Sequence, residues 1–140
     1  MTGAARRLIR PGIAAGGVVA LLALSAASRA ADIDWSRAQL YTVEMTEYRF
    51  IPAHLRFRAG VPYRLHLVNI GKELHELTAP DFFKAVRVEN RNVLVPASQD
   101  VVLQPHEQKD VFFVAEKPGR YKMTCADHDF LDMAGDITVE

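Results

Sequence analysis

The sequence predicts an all-β Greek-key sandwich, and two patterns predict it. From Leu40 onward apolar and polar residues alternate with a period of two. These alternating runs are short and are punctuated by Pro and Gly, the spacing of a sandwich rather than of a helical bundle. The roughly 110 residues involved are enough to bury one core.

Taken in order, "LYTVEMTEY" sets Tyr41, Val43 and Met45 on one side against Thr42 and Glu44 on the other. "VPYRLHLVN" sets Val61, Tyr63, Leu65 and Leu67 against Arg64 and His66. "HELTAP" (75–80) is a short strand closed by proline. "DVVLQPHEQKDVFFVAEKPGRYKMTC" gives three strands broken at "QPHE" and "EKPG", and "GDITVE" ends the chain with Ile137 and Val139 facing in. Residues 81–99 form a long crossover with a helical turn around Phe82 to Val86, and 31–39 are a polar lead-in containing Trp35. The domain itself is expected over 40–140.

The formal charge of the 140 residues is zero, but it is unevenly distributed. Residues 1–30 hold Arg6, Arg7, Arg10 and Arg29 and no acid, so the remainder carries 13 basic against 17 acidic residues, a net charge of −4. That balance argues against nucleic acid as a partner. The same 30 residues read as a signal peptide: a basic start, the apolar run "IAAGGVVALLALSAA", then "SRA" before a cut after Ala30. A retained membrane anchor is the competing reading; cleavage leaves no membrane span, and either way the domain is exported. In a bacterium, which this style of signal suggests, the protein is periplasmic or beyond, and the twin arginines leave the export route open.

Export bears on "YKMTCADHDFLDMAG", which contains the only cysteine in the chain. In an oxidising compartment an unpaired thiol is buried, committed to another molecule or bound to metal. Cys125 is followed three residues later by His128 and five after that by Met133. Thiolate, imidazole and thioether together favour copper cycling between Cu(I) and Cu(II), and the blue-copper arrangement of two His, one Cys and a weak axial Met requires a second histidine. Strand parity points Cys125 inward with Tyr121 and Met123, at the end of its strand. Of the remaining histidines, His66 alternates outward and His54 and His106 lie in turns, which leaves His75, opening a strand after a Gly-containing turn. Three other readings stand beside copper. A Cys-His nucleophile lacks an orienting third residue, a zinc site of Cys, two His and water leaves Met133 without purpose, and a metal-free sandwich simply buries Cys125.

"VNIGKELHEL" followed about 50 residues later by C-x₂-H-x₄-M ("CADHDFLDM") resembles the cupredoxins, the blue-copper family that includes plastocyanin and pseudoazurin. "FIPAHLRFRAGVPYRLHLVN" resembles the family's early pair of strands, and "EKPGRYKMTC" its Pro-Gly-x-Tyr approach to the cysteine. The resemblance covers roughly 41–140, and "HEL" is most similar to small exported cupredoxin modules, including those attached to periplasmic iron-uptake proteins. It implies one type 1 copper held by His75, Cys125, His128 and Met133, with Asn69 and Glu76 in supporting positions.

Three positions depart from the family pattern. Glu76 stands where plastocyanin-like members often carry Asn, His106 where a glycine is usual, and Asp127, Asp129 and Asp132 occupy a ligand loop that lacks the usual Gly or Pro. The function implied is a non-enzymatic, monomeric one-electron carrier; copper scavenging or delivery without a redox cycle is the alternative. The absence of any Met-rich tract favours the carrier. Phe130 and Leu131, ringed by the three Asp, would meet a redox partner such as a basic cytochrome, a reductase or an oxidase.

Overall fold

The computed structural model describes residues 32–140, together with Met1. The expected processing segment lies outside the described residues. Asp32–Glu140 form one compact unit. Its strands are β1 (Gln39–Thr46), β2 (Arg49–Ile51), β3 (His54–Phe57), β4 (Pro62–Asn69) and β5 (His75–Thr78), followed by a helix α1 (Pro80–Ala85). Then come β6 (Arg87–Val88), β7 (Asp100–Leu103), β8 (Gln108–Val114), β9 (Gly119–Thr124) and β10 (Ala134–Val139). Two five-stranded sheets result, one ordered β2-β1-β4-β8-β6 and the other β3-β10-β9-β5-β7. The predicted all-β sandwich is the observed fold.

The period-two runs behave as their chemistry requires. In β1, Val43 and Met45 are buried while Thr42 is exposed; in β4, Tyr63, Leu65 and Leu67 are buried and Arg64 is not. β1 runs parallel to β4 and β3 parallel to β10; the other pairings are antiparallel. β2 and β6 had no sequence signature because two or three residues cannot display an alternation. The expected turn in the crossover is α1, which begins on a proline whose fixed φ suits a first helical position and buries Phe82 and Phe83. The lead-in forms a single 3-10 turn, Trp35–Arg37, with Trp35 edge-on to Phe112.

The interior is aromatic at its centre. Phe57 meets Tyr41, Tyr63 and Phe113 at ring-centroid separations of 4.9, 4.8 and 4.9 Å, and Phe82 joins the cluster against Phe113 at 5.1 Å. Edge-to-face pairs of this kind add to simple area burial. The two sheets are held together at this level.

On the outer face of β4, His66 is half-buried and faces Asp110 across the strand pair, at 2.8 Å, rather than standing free in water as its parity suggested. Arg64 reaches the same carboxylate at 2.9 Å. Burial pushes the Asp110 carboxyl up, but the hydrogen bonds and charges of Arg64 and His66 outweigh it and hold the group below its ordinary 3.8. A carboxylate whose folded value is depressed stabilises the fold above the unfolded value and loses that contribution as pH falls through the folded one. Asp110→Asn should therefore cost less than about 1 kcal/mol near neutrality, because Arg64 is largely exposed. The difference from wild type should close below the ordinary carboxylate value of 3.8. Urea unfolding at pH 7 and at about pH 3 checks both halves.

Candidate metal centre

Four strand ends meet at one end of the sandwich. β4 finishes at Asn69, β5 begins at His75, β9 finishes at Thr124 and β10 begins at Ala134. The 69–75 loop and the 125–133 loop therefore face one another, and the pairing of Thr78 with Thr124 brings β5 alongside β9 just before them.

Cys125 leaves β9 fully buried, as parity required, and its sulfur accepts the backbone N–H of Glu76 at 3.3 Å. Its carbonyl accepts the N–H of His128 at 3.1 Å, which starts the 3-10 turns of Ala126–Leu131. The chain kinks at His128, and Asp132 adopts a left-handed φ of 59° that turns the backbone back. Met133 then donates its N–H to the His128 carbonyl at 3.3 Å and accepts the Cys125 N–H at 3.0 Å. The loop is thus closed on itself, with the Met133 side chain fully buried.

The ligand atoms of His75, Cys125 and His128 lie within 4.8 Å of one another. His128 Nδ1 is 3.4 Å from the Cys125 sulfur, and the two imidazole rings are 5.0 Å apart. His75 is wholly buried, yet neither ring nitrogen has a hydrogen-bond partner. Leaving a buried polar atom unpaired costs about 1–3 kcal/mol. Two on one ring, beside a buried thiol, indicate a site whose polar atoms are meant for something else. Burial, then the nearby His128, lowers the His75 pKa and keeps the imidazole neutral. Burial likewise raises the Cys125 thiol, against the pull of surrounding backbone N–H groups, so without metal the sulfur keeps its proton.

The supporting residues are built into the loops. Asn69 is buried; its amide donates to the carbonyls of Glu73 at 2.8 Å and Leu103 at 3.1 Å, and its oxygen accepts the Gly71 N–H at 2.9 Å. It fixes the approach to His75. Glu76 keeps its side chain half-buried on the other face of β5; burial first, then Asp127 and Asp100, raise its carboxyl, while the Ala126 N–H favours the charged form. Asp127, Asp129, Asp132, Phe130 and Leu131 are all exposed, Phe130 most of all at 75%. His106 is at the surface with a φ of 66°, in the left-handed region that explains why glycine suits this position.

Two acids and an aromatic at the site had no sequence signal of their own. Glu47, in the turn after β1, accepts the backbone N–H of Lys72 and, at 3.2 Å, that of Glu73. These N–H groups, Lys72 first, bring its pKa down to about 2. Gly71 permits the approach, since a Cβ there would lie 2.5 Å from the Glu47 carboxylate. Glu73 Oε2 stands 3.0 Å from His128 Nε2, and the Tyr48 ring lies 5.1 Å from that imidazole.

A family model for the cupredoxin-like domain matches residues 13–139. The chain belongs to the cupredoxin-like family. Among solved structures, the cupredoxin is similar to auracyanin B, at 24% identity and a TM-score of 0.56, over 74% of this chain and 90% of that one. It is also similar to dithionite-reduced auracyanin from the photosynthetic bacterium Roseiflexus castenholzii, at 16% identity and a TM-score of 0.55, over 74% of this chain and 98% of that one. At these identities the likeness is one of fold. No curated protein matches the sequence. A thiol and two imidazoles at these separations, in a chain of this family, fit copper, and copper is the cofactor of the centre.

Proposed function

We propose that this cupredoxin is an exported, monomeric one-electron carrier of the periplasm, in which His75, Cys125, His128 and Met133 would hold the copper. The observation that carries the reading is the wholly buried His75, with two unpartnered nitrogens, facing a buried thiol. Copper supplies the Cu(II)/Cu(I) couple when bound. The protein's part is to keep its donors still. His75 opens β5, Cys125 directly follows the last residue of β9, and Met133 is tied by its backbone to both Cys125 and His128, so none of the four hangs on a free loop. Among the described residues no helix is long and apolar enough to cross a membrane.

His128 is the donor nearest the surface, with 12% of its side chain exposed against none of His75. It is therefore the edge at which electrons enter and leave. Phe130 and Leu131 form an apolar contact beside it, and Asp127, Asp129 and Asp132 surround that contact with negative charge. A basic cytochrome is the partner this surface suits, in a brief encounter steered by charge.

Electron exchange with such a partner should slow by about tenfold or more from low to physiological salt, because exposed charges are screened beyond about 8 Å. Replacing Asp127, Asp129 and Asp132 together by Asn should slow it at low salt and flatten the salt dependence. Stopped-flow oxidation of the Cu(I) protein measures both. Negligible exchange, together with ready transfer of copper to an acceptor protein, would replace the carrier with a copper-handling role. Met133→Leu should raise the reduction potential and leave the visible spectrum in place, since it removes only a weak donor. Voltammetry with the spectrum recorded alongside checks this.

A further inference from the structure

Both histidines of the centre have a glutamate behind them. Glu73 Oε2 is 3.0 Å from His128 Nε2, and Glu47 Oε1 is 4.0 Å from His75 Nε2. The two acids are not independent. Glu47 accepts the backbone N–H groups of Lys72 and Glu73, in the space that Gly71 leaves open, and so fixes the segment from which the Glu73 side chain extends. Asn69 holds the same segment from the other side through the Glu73 carbonyl. A side chain that is half exposed is thereby brought within ion-pair distance of one nitrogen of one ring.

We propose that Glu73 is a positioning residue of the copper centre: it accepts the Nε2–H of His128, orients Nδ1 of that ring toward Cys125, and lowers the reduction potential with its negative charge. The proposal rests on the copper reading above. A ring that donates Nε2–H to a carboxylate keeps its lone pair on Nδ1, and Nδ1 is the atom that stands 3.4 Å from the Cys125 sulfur. An acceptor behind a ligating imidazole also makes it a stronger donor, and an anion this close stabilises the more positive oxidation state. Glu47 acts one step removed. It sets the loop, and through the loop it sets Glu73.

Three variants separate the hydrogen bond from the charge: Glu73→Ala removes both, Glu73→Gln keeps an acceptor without charge, and Glu47→Ala frees the loop. In the metal-free protein, the wild type should show a downfield, hydrogen-bonded His128 Nε2–H by ¹⁵N-resolved NMR. Glu73→Gln should keep that proton, less strongly shifted, and Glu73→Ala and Glu47→Ala should lose it. With copper, Glu73→Gln should weaken Cu(II) relative to Cu(I) by about tenfold, which for a one-electron couple is a rise of about 59 mV. Glu73→Ala should in addition cost roughly 10–100-fold in copper affinity. If the Glu73→Ala imidazole signal and the potential of a still-blue Glu73→Gln protein both match wild type, the assignment is overturned. A wild type that takes up no copper overturns the copper reading instead, and the metal-free NMR comparison decides the hydrogen bond by itself.

Discussion

Cys125→Ser, loaded with Cu(II), is expected to lose the visible band completely. That band requires charge transfer from a thiolate sulfur, and Cys125 is the chain's only cysteine. The loss should not come from unfolding. Cys125 sits at the end of β9, and a hydroxyl there can still take the N–H of Glu76 that the sulfur now accepts. Serine is slightly smaller and leaves the neighbouring hydrogen bond from the Cys125 N–H to the Met133 carbonyl untouched. Far-ultraviolet circular dichroism of the variant should therefore match wild type while absorbance near the band falls to baseline. A variant that kept its colour would remove Cys125 from the centre.

Phe57→Ala is expected to give the largest loss of stability in the chain. Phe57 is only 1% exposed and is the hub of the aromatic cluster, with Tyr41, Tyr63, Phe82 and Phe113 all against it. Truncating such a residue removes its transfer free energy and leaves a cavity that rigid neighbouring rings cannot close, at a cost of about 3–5 kcal/mol. Domains of this size have about 5–15 kcal/mol to lose. The urea midpoint should fall accordingly with an unchanged slope. A cost below about 1 kcal/mol would mean that the core is organised around some other residue.

These two positions were legible in the sequence to different degrees, and the reason is distance along the chain. Alternation within "LYTVEMTEY", "VPYRLHLVN" and "YKMTC" is a local signal, so burial of Val43, Leu65, Met123 and Cys125 could be read directly. The spacing of Cys125, His128 and Met133 is local too. His75 could be nominated only by elimination and by resemblance, because its approach to Cys125 depends on how β5 and β9 pair.

Glu47 and Glu73 illustrate what local reading leaves out. The parallel register of β1 and β4 sets Met45 opposite Asn69, and from there the turn at Glu47 falls beside Gly71. Without that register nothing in "MTEYRF" marks its glutamate as part of a metal centre. Glu73 is equally silent, since its meeting with His128 joins two loops 55 residues apart. His66 errs in the other direction. Parity placed it outside correctly, but its partner Asp110 is visible only once β4 and β8 are paired.

The most direct test of the central claim is the absorption spectrum of the wild-type protein titrated with Cu(II). The geometry of His75, Cys125 and His128 predicts an intense visible band that grows to saturation at one copper per chain. A protein that remains colourless at saturating Cu(II) would contradict the type 1 centre on which the carrier reading stands.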